Sequence, residues 1–478
     1  MIERVVIFGA TGDLTARYLI PALAQLYEAG KLPSGIRITG VDRREWENNK
    51  DGFRRFVLES LDRHASNLSA AARAKLVVEA LDYRQADVTD GESVAKALGT
   101  LREPILAYLA LPPPVFAPTI EALKRAGLPK GSRVAIEKPF GENLESAQML
   151  NQMLHEFLPE RSVFRIDHFL AWQPFPAIMG LRFANGIFEP LWNHNYIERV
   201  EITWQETLAL EGRAGYFDSA GAFKDLIQNH LLQLLCLTAM EAPIALHRRN
   251  LRDRKIDVLR AIRRLSPEEV QRQTVRARYG PGKIGERVIP AYADEEGVDP
   301  ERETETFAQV TLMIDNLRWA GVPFVLRTGK ALGRNLGEIA IHFKPVPHLA
   351  FQRALDPRPN VLRVQLGPDR IALNVNINGP YDPFDLEQIE LSADFAPQNF
   401  FSAYERLFLD LLEGNTTLFI RADEAEESWR VVEPILEAWG KGLVPLLEYP
   451  AGSDGPPEAG RTVSPALSRT KAQPVMPP

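Results

Sequence analysis

Glycine spacing near the start of the chain is typical of a turn that binds phosphate. Gly9 and Gly12 stand three residues apart, after the apolar run 5–8 and before a helix predicted from Leu14 to Tyr27. Glycines let the backbone approach a pyrophosphate, and free amides at a helix N-terminus donate hydrogen bonds to anionic oxygens. Because the turn lacks the complete G-x-G-x-x-G pattern, it predicts a dinucleotide site without excluding a turn that uses glycine only for packing.

The end of the next predicted strand, 36–41, carries residues that would select the coenzyme. Asp42, Arg43 and Arg44 follow this strand, at the position where dinucleotide-binding folds contact the ribose. A guanidinium there favours a 2′-phosphate and therefore NADP. The carboxylate of Asp42 favours a free 2′-hydroxyl and would repel a 2′-phosphate. The sequence predicts NADP as coenzyme and leaves NAD open.

The order of predicted elements indicates two domains of different class. Strands and helices alternate in the first part of the chain, with apolar strands at 105–109 and 133–136, which favours an open parallel sheet. Later strand-like segments alternate polar and apolar residues, as in an antiparallel sheet. We predict an α/β Rossmann-like dinucleotide-binding domain over 1–175, then an α+β domain with a large, mainly antiparallel sheet over 176–450, and a mobile Pro- and Gly-rich tail over 451–478. Long helices of the second domain are predicted at 221–240 and 401–413.

Composition argues against several classes of partner. The chain of 478 residues has 56 Lys and Arg against 63 Asp and Glu, a net charge of −7 that opposes binding to nucleic acid. The basic segment 248–264 is interpreted as a solvated helix face or an oligomer contact. Neither a membrane-spanning run nor a secretory leader is visible, so we expect a cytoplasmic protein. The histidines lack metal-ligand spacing and Cys236 lies in an apolar context, so no metal is expected.

Longer motifs resemble those of the glucose-6-phosphate dehydrogenase family. Residues 9–14 read GATGDL and 137–141 read EKPFG, like the two hallmark segments of that family. Matches continue in the same order, with RIDH at 165–168, QNHLLQ at 228–233 and RTGK at 327–330, and the resemblance extends to about residue 455. It implies oxidation of glucose 6-phosphate at C1 to a lactone with NADP, the entry step of the pentose phosphate or Entner–Doudoroff pathway. It also implies a homodimer or homotetramer formed through the large sheet.

The resemblance assigns roles to individual residues. It implies that His230 is the general base and that Asp167 orients it; imidazole suits this role because its ordinary pKa near 6.5 allows a neutral acceptor at physiological pH. Pro139 matches a proline that follows a cis peptide bond in the family. The implied substrate-binding residues are Lys138, His168, Glu206, Asp225 and Lys330. The implied cofactor-binding residues are Gly9, Ala10, Thr11, Gly12, Asp13, Leu14, Thr15, Ala16, Arg43, Asp87, Val88, Lys138 and Pro139.

One expected geometry is awkward. Asp225 and His230 lie five residues apart on one predicted helix, which places them about 140° apart around an α-helical axis. They cannot share a narrow stripe of such a helix. We expect them to line one broad pocket.

The residues after His168 depart from the family pattern. The family continues Tyr-Leu-Gly-Lys-Glu, whereas this chain reads FLAWQ at 169–173. The resemblance assigns the histidine, tyrosine and lysine of this segment to the 6-phosphate of the substrate, and Phe169 and Trp172 supply neither the phenol nor the ammonium. A dehydrogenase of an unphosphorylated or differently substituted hexose therefore stays open. So does a non-catalytic regulatory paralogue, although the retained His230 and its partners argue against it.

Overall fold

The apolar run at the start of the chain forms a strand inside a six-stranded sheet. The strands are β1 (Arg4–Phe8), β2 (Arg37–Asp42), β3 (Leu81–Gln85), β4 (Ile105–Leu109), β5 (Arg133–Ile136) and β6 (Val163–Arg165). They pair in parallel in the order β3-β2-β1-β4-β5-β6. Val6 and Phe8 pack into one apolar cluster and Val5 and Ile7 into another, so both faces of the sheet are covered. The computed structural model of the chain describes residues 2–46, 48–172, 174–212, 214–351, 358–367, 369–379, 384–394 and 401–460.

Helices connect these strands and make the first domain a Rossmann-like unit. Its strand order is that of dinucleotide-binding folds, in which ligands bind outside the carboxyl ends of the strands where the order reverses. That point lies between β1 and β4. The α/β prediction for this domain is confirmed. The connecting α-helices are α1 (Ile20–Glu28), α2 (Asn49–His64), α3 (Ala70–Lys75), α4 (Gly91–Leu98), α5 (Phe116–Ala126) and α6 (Leu144–His155).

A second, larger sheet follows. Its strands are β7 (Ile197–Gln205), β8 (Thr274–Gly280), β11 (Phe307–Met313), β12 (Pro323–Gly329), β13 (Leu336–Phe343), β14 (Val361–Gln365), β15 (Arg370–Asn378), β16 (Leu386–Asp394) and β17 (Leu446–Pro450); β9 (Gly282–Ile284) and β10 (Arg287–Ile289) form a separate ribbon. The order in the large sheet is β16-β15-β14-β13-β7-β12-β11-β8-β17. Two neighbouring pairs, β7 with β12 and β8 with β17, are parallel and the others antiparallel, which confirms a mainly antiparallel sheet.

A long helical segment packs on this sheet. It consists of a π-helix, Phe223–Leu231, flanked by α8 (Ala214–Ala222) and α9 (Leu232–Ala239). The π-helix contacts β7, β11 and β12, and every residue of α9 is buried. The other α-helices of this part of the chain are α7 (Pro174–Phe183), α10 (Arg248–Ala261), α11 (Pro267–Gln273), α12 (Ala403–Glu413) and α13 (Ala422–Gly440).

Segments near the C-terminus pack where the sequence did not place them. The apolar face of α12 joins the core of the first domain, where the Phe408 ring lies 5.6 Å from the Tyr108 ring of β4. Residues 451–460, predicted as the start of a mobile tail, contact the second sheet instead: Gly452 donates a backbone hydrogen bond to Ala331, and Ala459 is buried. Residues 461–478 lie outside the described residues, and the bounds between the domains stay a prediction.

Candidate active site

The glycine turn lies tight against the end of β4. Gly9 has φ +82°, and a Cβ there would come 2.1 Å from the carbonyl oxygen of Ala110, so only glycine fits. The turn is closed by hydrogen bonds to the Gly9 carbonyl from the Gly12 amide at 3.1 Å and from the Thr15 hydroxyl at 2.9 Å. A π-helix, Thr15–Leu19, starts directly after the turn at the carboxyl edge of the sheet and continues into α1. A backbone that leaves no room for side chains and leads into a helix N-terminus fits the pyrophosphate of a dinucleotide.

Asp42 holds this turn in place. Its Oδ2 accepts hydrogen bonds from the amide and the hydroxyl of Thr11, both at 2.9 Å, and its Oδ1 accepts the Arg43 amide at 2.8 Å. Both carboxylate oxygens therefore accept hydrogen bonds from the protein itself. The sequence analysis had instead considered Asp42 as a partner for a free ribose 2′-hydroxyl. Arg43 and Arg44 are exposed, and the Arg44 guanidinium lies 5.0 Å from the centre of the Trp46 ring. The two arginines are accessible to a 2′-phosphate.

Asp87 and Val88 follow β3 and lie next to this corner. Hydrogen bonds from Thr89 hold the pKa of Asp87 below its usual value, although burial acts weakly against them, and the nearby Arg43 adds to the lowering. Asp87 is exposed and Val88 half-buried. Asp87 lies near Arg43, and the contact of Asp87 and Val88 with adenosine stays a prediction.

His230 and Asp167 form a buried pair. Asp167 follows β6, and its Oδ1 bonds Nδ1 of His230; the residues are 0% and 1% exposed. Burial alone would raise the pKa of Asp167, but the interaction with His230, helped by His168 and Lys138, outweighs burial and lowers it. Burial lowers the pKa of His230, and Asp167 opposes this only in part. The bond to Asp167 orients the imidazole, and the lowered pKa favours the neutral form that a proton acceptor needs.

The π-helix brings Asp225 to the same side as His230. The sequence predicted one continuous helix over 221–240, with these residues 140° apart. In the structure Gly221 breaks the helix with φ +69° and ψ 167°, and π-helical winding runs over Phe223–Leu231. Because a π-helix bonds residues five apart along the chain, residues at that spacing lie one above the other. The π-helical winding, and not the width of the pocket, therefore accounts for Asp225 and His230 lying on one side of the helix.

Two lysine–carboxylate pairs border the histidine. Lys138, just beyond β5, donates to the carbonyl and to Oδ1 of Asp225, each at 2.8 Å. Burial would raise the pKa of Asp225, but Lys138 and then Lys330 lower it, so the carboxylate is charged. Lys330 donates to Glu206 at 2.5 Å. Lys330 and Glu206 meet because they follow β12 and β7, which pair in parallel and end together.

The peptide bond between Lys138 and Pro139 is cis.

Aromatic rings form one wall of the site. Phe169 stacks on His230 with ring centres 3.8 Å apart and planes 6° from parallel, and it lies 4.7 Å from Trp204 and 6.0 Å from Trp172. His168 contacts His230 edge-on at 4.8 Å. Burial, with His230 and Lys138 adding to it, lowers the pKa of His168 to about 3, and its Nδ1 has no hydrogen-bond partner among the described residues. The described side chains of this wall therefore carry no positive charge.

Sequence reasoning missed two members of this wall, Trp204 and Tyr404. Trp204 lies two residues before Glu206 at the end of β7, and residues at that spacing along a strand point to the same side. This alternation was the signal that could have identified Trp204. The ring of Tyr404 stacks on His168 at 5.7 Å. It comes from α12, distant in sequence, and its position depends on tertiary packing that no local pattern reports.

These parts define an NAD(P)-dependent dehydrogenase, with a phosphate-binding turn on a Rossmann-like sheet and a buried histidine–carboxylate pair at the same edge. The family model "Glucose-6-phosphate dehydrogenase, NAD binding domain" matches residues 6–174, and "Glucose-6-phosphate dehydrogenase, C-terminal domain" matches residues 179–468. The chain belongs to the glucose-6-phosphate dehydrogenase family, which confirms the resemblance seen in the sequence.

Relatives extend over nearly the whole chain. Glucose-6-phosphate 1-dehydrogenase of Treponema pallidum is 40% identical over 477 residues, covering 95% of this chain and 92% of that protein. The Zymomonas mobilis enzyme is 38% identical and covers 96% of each. The crystal structure of the Mycobacterium avium enzyme has a TM-score of 0.83 at 34% identity and covers 96% of both chains. A glucose-6-phosphate dehydrogenase in complex with its substrate glucose-6-phosphate has a TM-score of 0.85 at 32% identity, covering 95% of this chain and 96% of that one. Within the described residues, the structure contains no helix long and apolar enough to cross a membrane.

Proposed function

We propose that this protein oxidises C1 of D-glucose 6-phosphate to 6-phosphoglucono-1,5-lactone with NADP. The observation that carries the proposal is the buried pair of His230 and Asp167 beside Lys138, at the carboxyl edge of the sheet that holds the phosphate turn. The relatives bearing this activity in their names, and the similar structure solved with glucose 6-phosphate, support it.

We assign the proton transfer to His230. Its Nδ1 bonds Asp167, and because a carboxylate only accepts hydrogen bonds, Nδ1 carries the ring proton and Nε2 carries the lone pair. The proton of the C1 hydroxyl passes to Nε2 while the C1–O bond becomes a carbonyl. NADP, when bound, supplies the nicotinamide carbon that takes the hydride from C1. Asp167 stabilises the imidazolium that results.

The lysine–carboxylate pairs would hold the sugar. Lys138 with Asp225 and Lys330 with Glu206 present ammonium donors and carboxylate acceptors, the two kinds of group that sugar hydroxyls bind. All four residues are partly screened from water, so a hydroxyl that replaces a water there gains charge-assisted hydrogen bonds. Positioning by such bonds lets His230 face one particular hydroxyl.

Arg43 is expected to select NADP. In Arg43→Ala the 2′-phosphate loses a charge-assisted hydrogen bond worth about 1.5–3 kcal/mol, so KM for NADP should rise roughly 10- to 150-fold while KM for NAD changes little. Initial rates with both coenzymes measure this ratio. Lys50→Ala, an exposed cation in the first turn of α2, is the matched control and should leave the ratio unchanged. Equal losses for NADP and NAD would contradict the assignment and point to Arg44.

A second candidate function rests on the uncharged aromatic wall. A phosphate dianion that enters a cleft loses hydration and needs charged or strongly polar partners, and Phe169 and Trp172 provide no cation. Stacked rings suit the apolar face of a sugar. The wall therefore favours a hexose without the phosphate as the rival substrate.

A sugar panel separates these two functions. We expect the native protein to show kcat/KM for glucose 6-phosphate at least about tenfold above that for every unphosphorylated hexose. If this is the true substrate, a cation other than position 172 must bind the phosphate, so Phe169→Tyr/Trp172→Lys should change the value only modestly. Phe169→Leu/Trp172→Leu is the control, since it removes the rings without adding phenol or ammonium. Preference of the native protein for a free hexose, with a gain on glucose 6-phosphate in the Tyr/Lys variant alone, would favour the rival substrate.

We also propose that the protein works as a homodimer or homotetramer in the cytoplasm. Among the described residues β16 is the edge of the large sheet and pairs only with β15; its Leu391 is 54% exposed, and Phe384 just before it is 65% exposed. Exposed edges of this kind are commonly covered by another chain.

A further inference from the structure

A buried carboxylate outside the proposed machinery lies at the start of the π-helix. Glu305 is 8% exposed, and its Oε1 accepts a hydrogen bond from the Phe223 amide at 2.9 Å. Its backbone carbonyl accepts the Ala222 amide at 3.0 Å. Glu305 thus holds two successive amides at the beginning of the helix that carries Asp225 and His230. An N-terminal amide left without such a partner in a buried place would be costly.

Gly221 makes room for this carboxylate. Its φ of +69° with ψ of 167° is a conformation that only glycine adopts readily. A Cβ at position 221 would come 2.4 Å from Oε1 of Glu305. The break in the helix and the place of the carboxylate therefore depend on each other.

The segment that carries Glu305 also contacts the second lysine of the site. The Lys330 amide donates to the carbonyl of Thr306 at 2.9 Å. On the other side, the Thr304 hydroxyl donates to the carbonyl of Asp218 in α8 at 2.7 Å. Residues 304–306 therefore connect the backbone of Lys330 to the two helices that meet at Gly221.

We propose that Glu305 is a positioning residue for the reaction: it fixes the start of the π-helix so that Asp225 and His230 face the sugar together with Lys330. The inference rests on the proposed function for its kinetic part. Burial, only partly offset by the Phe223 amide, raises the pKa of Glu305 to about 7, so the carboxylate is kept there at an electrostatic cost. We attribute the presence of this buried carboxylate at the start of the π-helix to its role in fixing the position of the helix.

The test compares Glu305→Ala and Glu305→Gln with Ser69→Ala. The Ser69 hydroxyl accepts the Ala72 amide at the start of α3, and the Ser69 amide donates to Glu28 at the end of α1 that is far from the glycine turn, so its removal matches the loss of a helix cap away from the site. We expect Glu305→Ala to lower kcat/KM for glucose 6-phosphate by about 10- to 100-fold, mainly in kcat, because small misplacement of reacting groups is expensive. Glu305→Gln retains an acceptor oxygen and should stay within about threefold of the native value, as should Ser69→Ala.

Hydrogen exchange gives a readout that does not depend on the reaction. Amides of residues 222–231 should exchange faster in Glu305→Ala and remain protected in Glu305→Gln and Ser69→Ala. NADP affinity should be unchanged in all three, since the turn at Gly9 does not contact Glu305. If Glu305→Ala does not fold, Glu305→Asp, which draws the carboxylate back by about 1.5 Å, replaces it with the same direction of effect.

The outcomes separate the two claims. Native protein without activity on any sugar would overturn the proposed function, while exchange at 222–231 would still decide the role of Glu305. Unchanged exchange and kcat/KM in Glu305→Ala, losses equal to those of Ser69→Ala, or a Gln variant as impaired as the Ala variant would each overturn the positioning role.

Discussion

Replacing His230 by asparagine is expected to lower kcat for glucose 6-phosphate by about 10²- to 10⁴-fold, the usual contribution of a positioned general base. Asparagine preserves approximate size and can still bond Asp167, but it has no basic nitrogen to accept the C1 hydroxyl proton. KM for the sugar should change far less than kcat, because the lysine–carboxylate pairs that would hold it remain. NADP affinity should be retained, since the turn at Gly9 belongs to another part of the molecule.

Steady-state rates with NADP, together with a direct binding measurement for the coenzyme, check this prediction. His64→Asn is the matched control: His64 is exposed at the end of α2 and makes no contact with the site, so its variant should match the native protein. A His230→Asn enzyme with native turnover would rule His230 out as the base. Loss of coenzyme binding along with activity would indicate general damage instead.

Local patterns were sufficient for the elements that are buried on both faces. The strands predicted at 105–109 and 133–136 have those bounds in the structure, because short apolar runs within a pattern of alternating strands and helices are typical of strands in the interior of a covered sheet. The turn at Gly9 could also be predicted from the local sequence, because its geometry depends on glycines that lie within a few residues of each other. The residues expected around the base were identified by longer motifs rather than by physics, and their roles stay predictions.

Other features depend on interactions that sequence periodicity does not contain. The sequence analysis did not predict α2, whose buried Phe53, Val57 and Leu61 are few among charged residues, or α13, which contains Pro434 and so reads as interrupted. The π-helix was missed because an apolar pattern was read at 100° per residue throughout. Gly221 was the available signal, but its meaning appears only once Glu305, distant in sequence, occupies the space beside it.

The change Asp167→Asn is expected to be almost as damaging as loss of the base itself. The introduced amide would keep the shape of the side chain, but it can donate to Nδ1 of His230, which the carboxylate cannot. The ring proton then moves to Nε2, and the nitrogen that should accept the substrate proton is occupied. We expect kcat to fall about 10²- to 10⁴-fold, with sugar KM and coenzyme affinity close to native.

The pH profile tests the electrostatic part of this pair. Burial lowers the pKa of His230 and Asp167 opposes the lowering, so removing the charge should lower that pKa further. A base works in its neutral form, which persists to lower pH when its pKa falls; the acid limb of kcat/KM, recorded from about pH 4 to about pH 8, should therefore move to lower pH in the variant. Asp218→Asn, which alters an equally buried carboxylate bonded to Tyr292, should leave the limb in place. An acid limb that moves to higher pH, or a kcat within about tenfold of native, would show that Asp167 neither orients the His230 ring nor stabilises its protonated form.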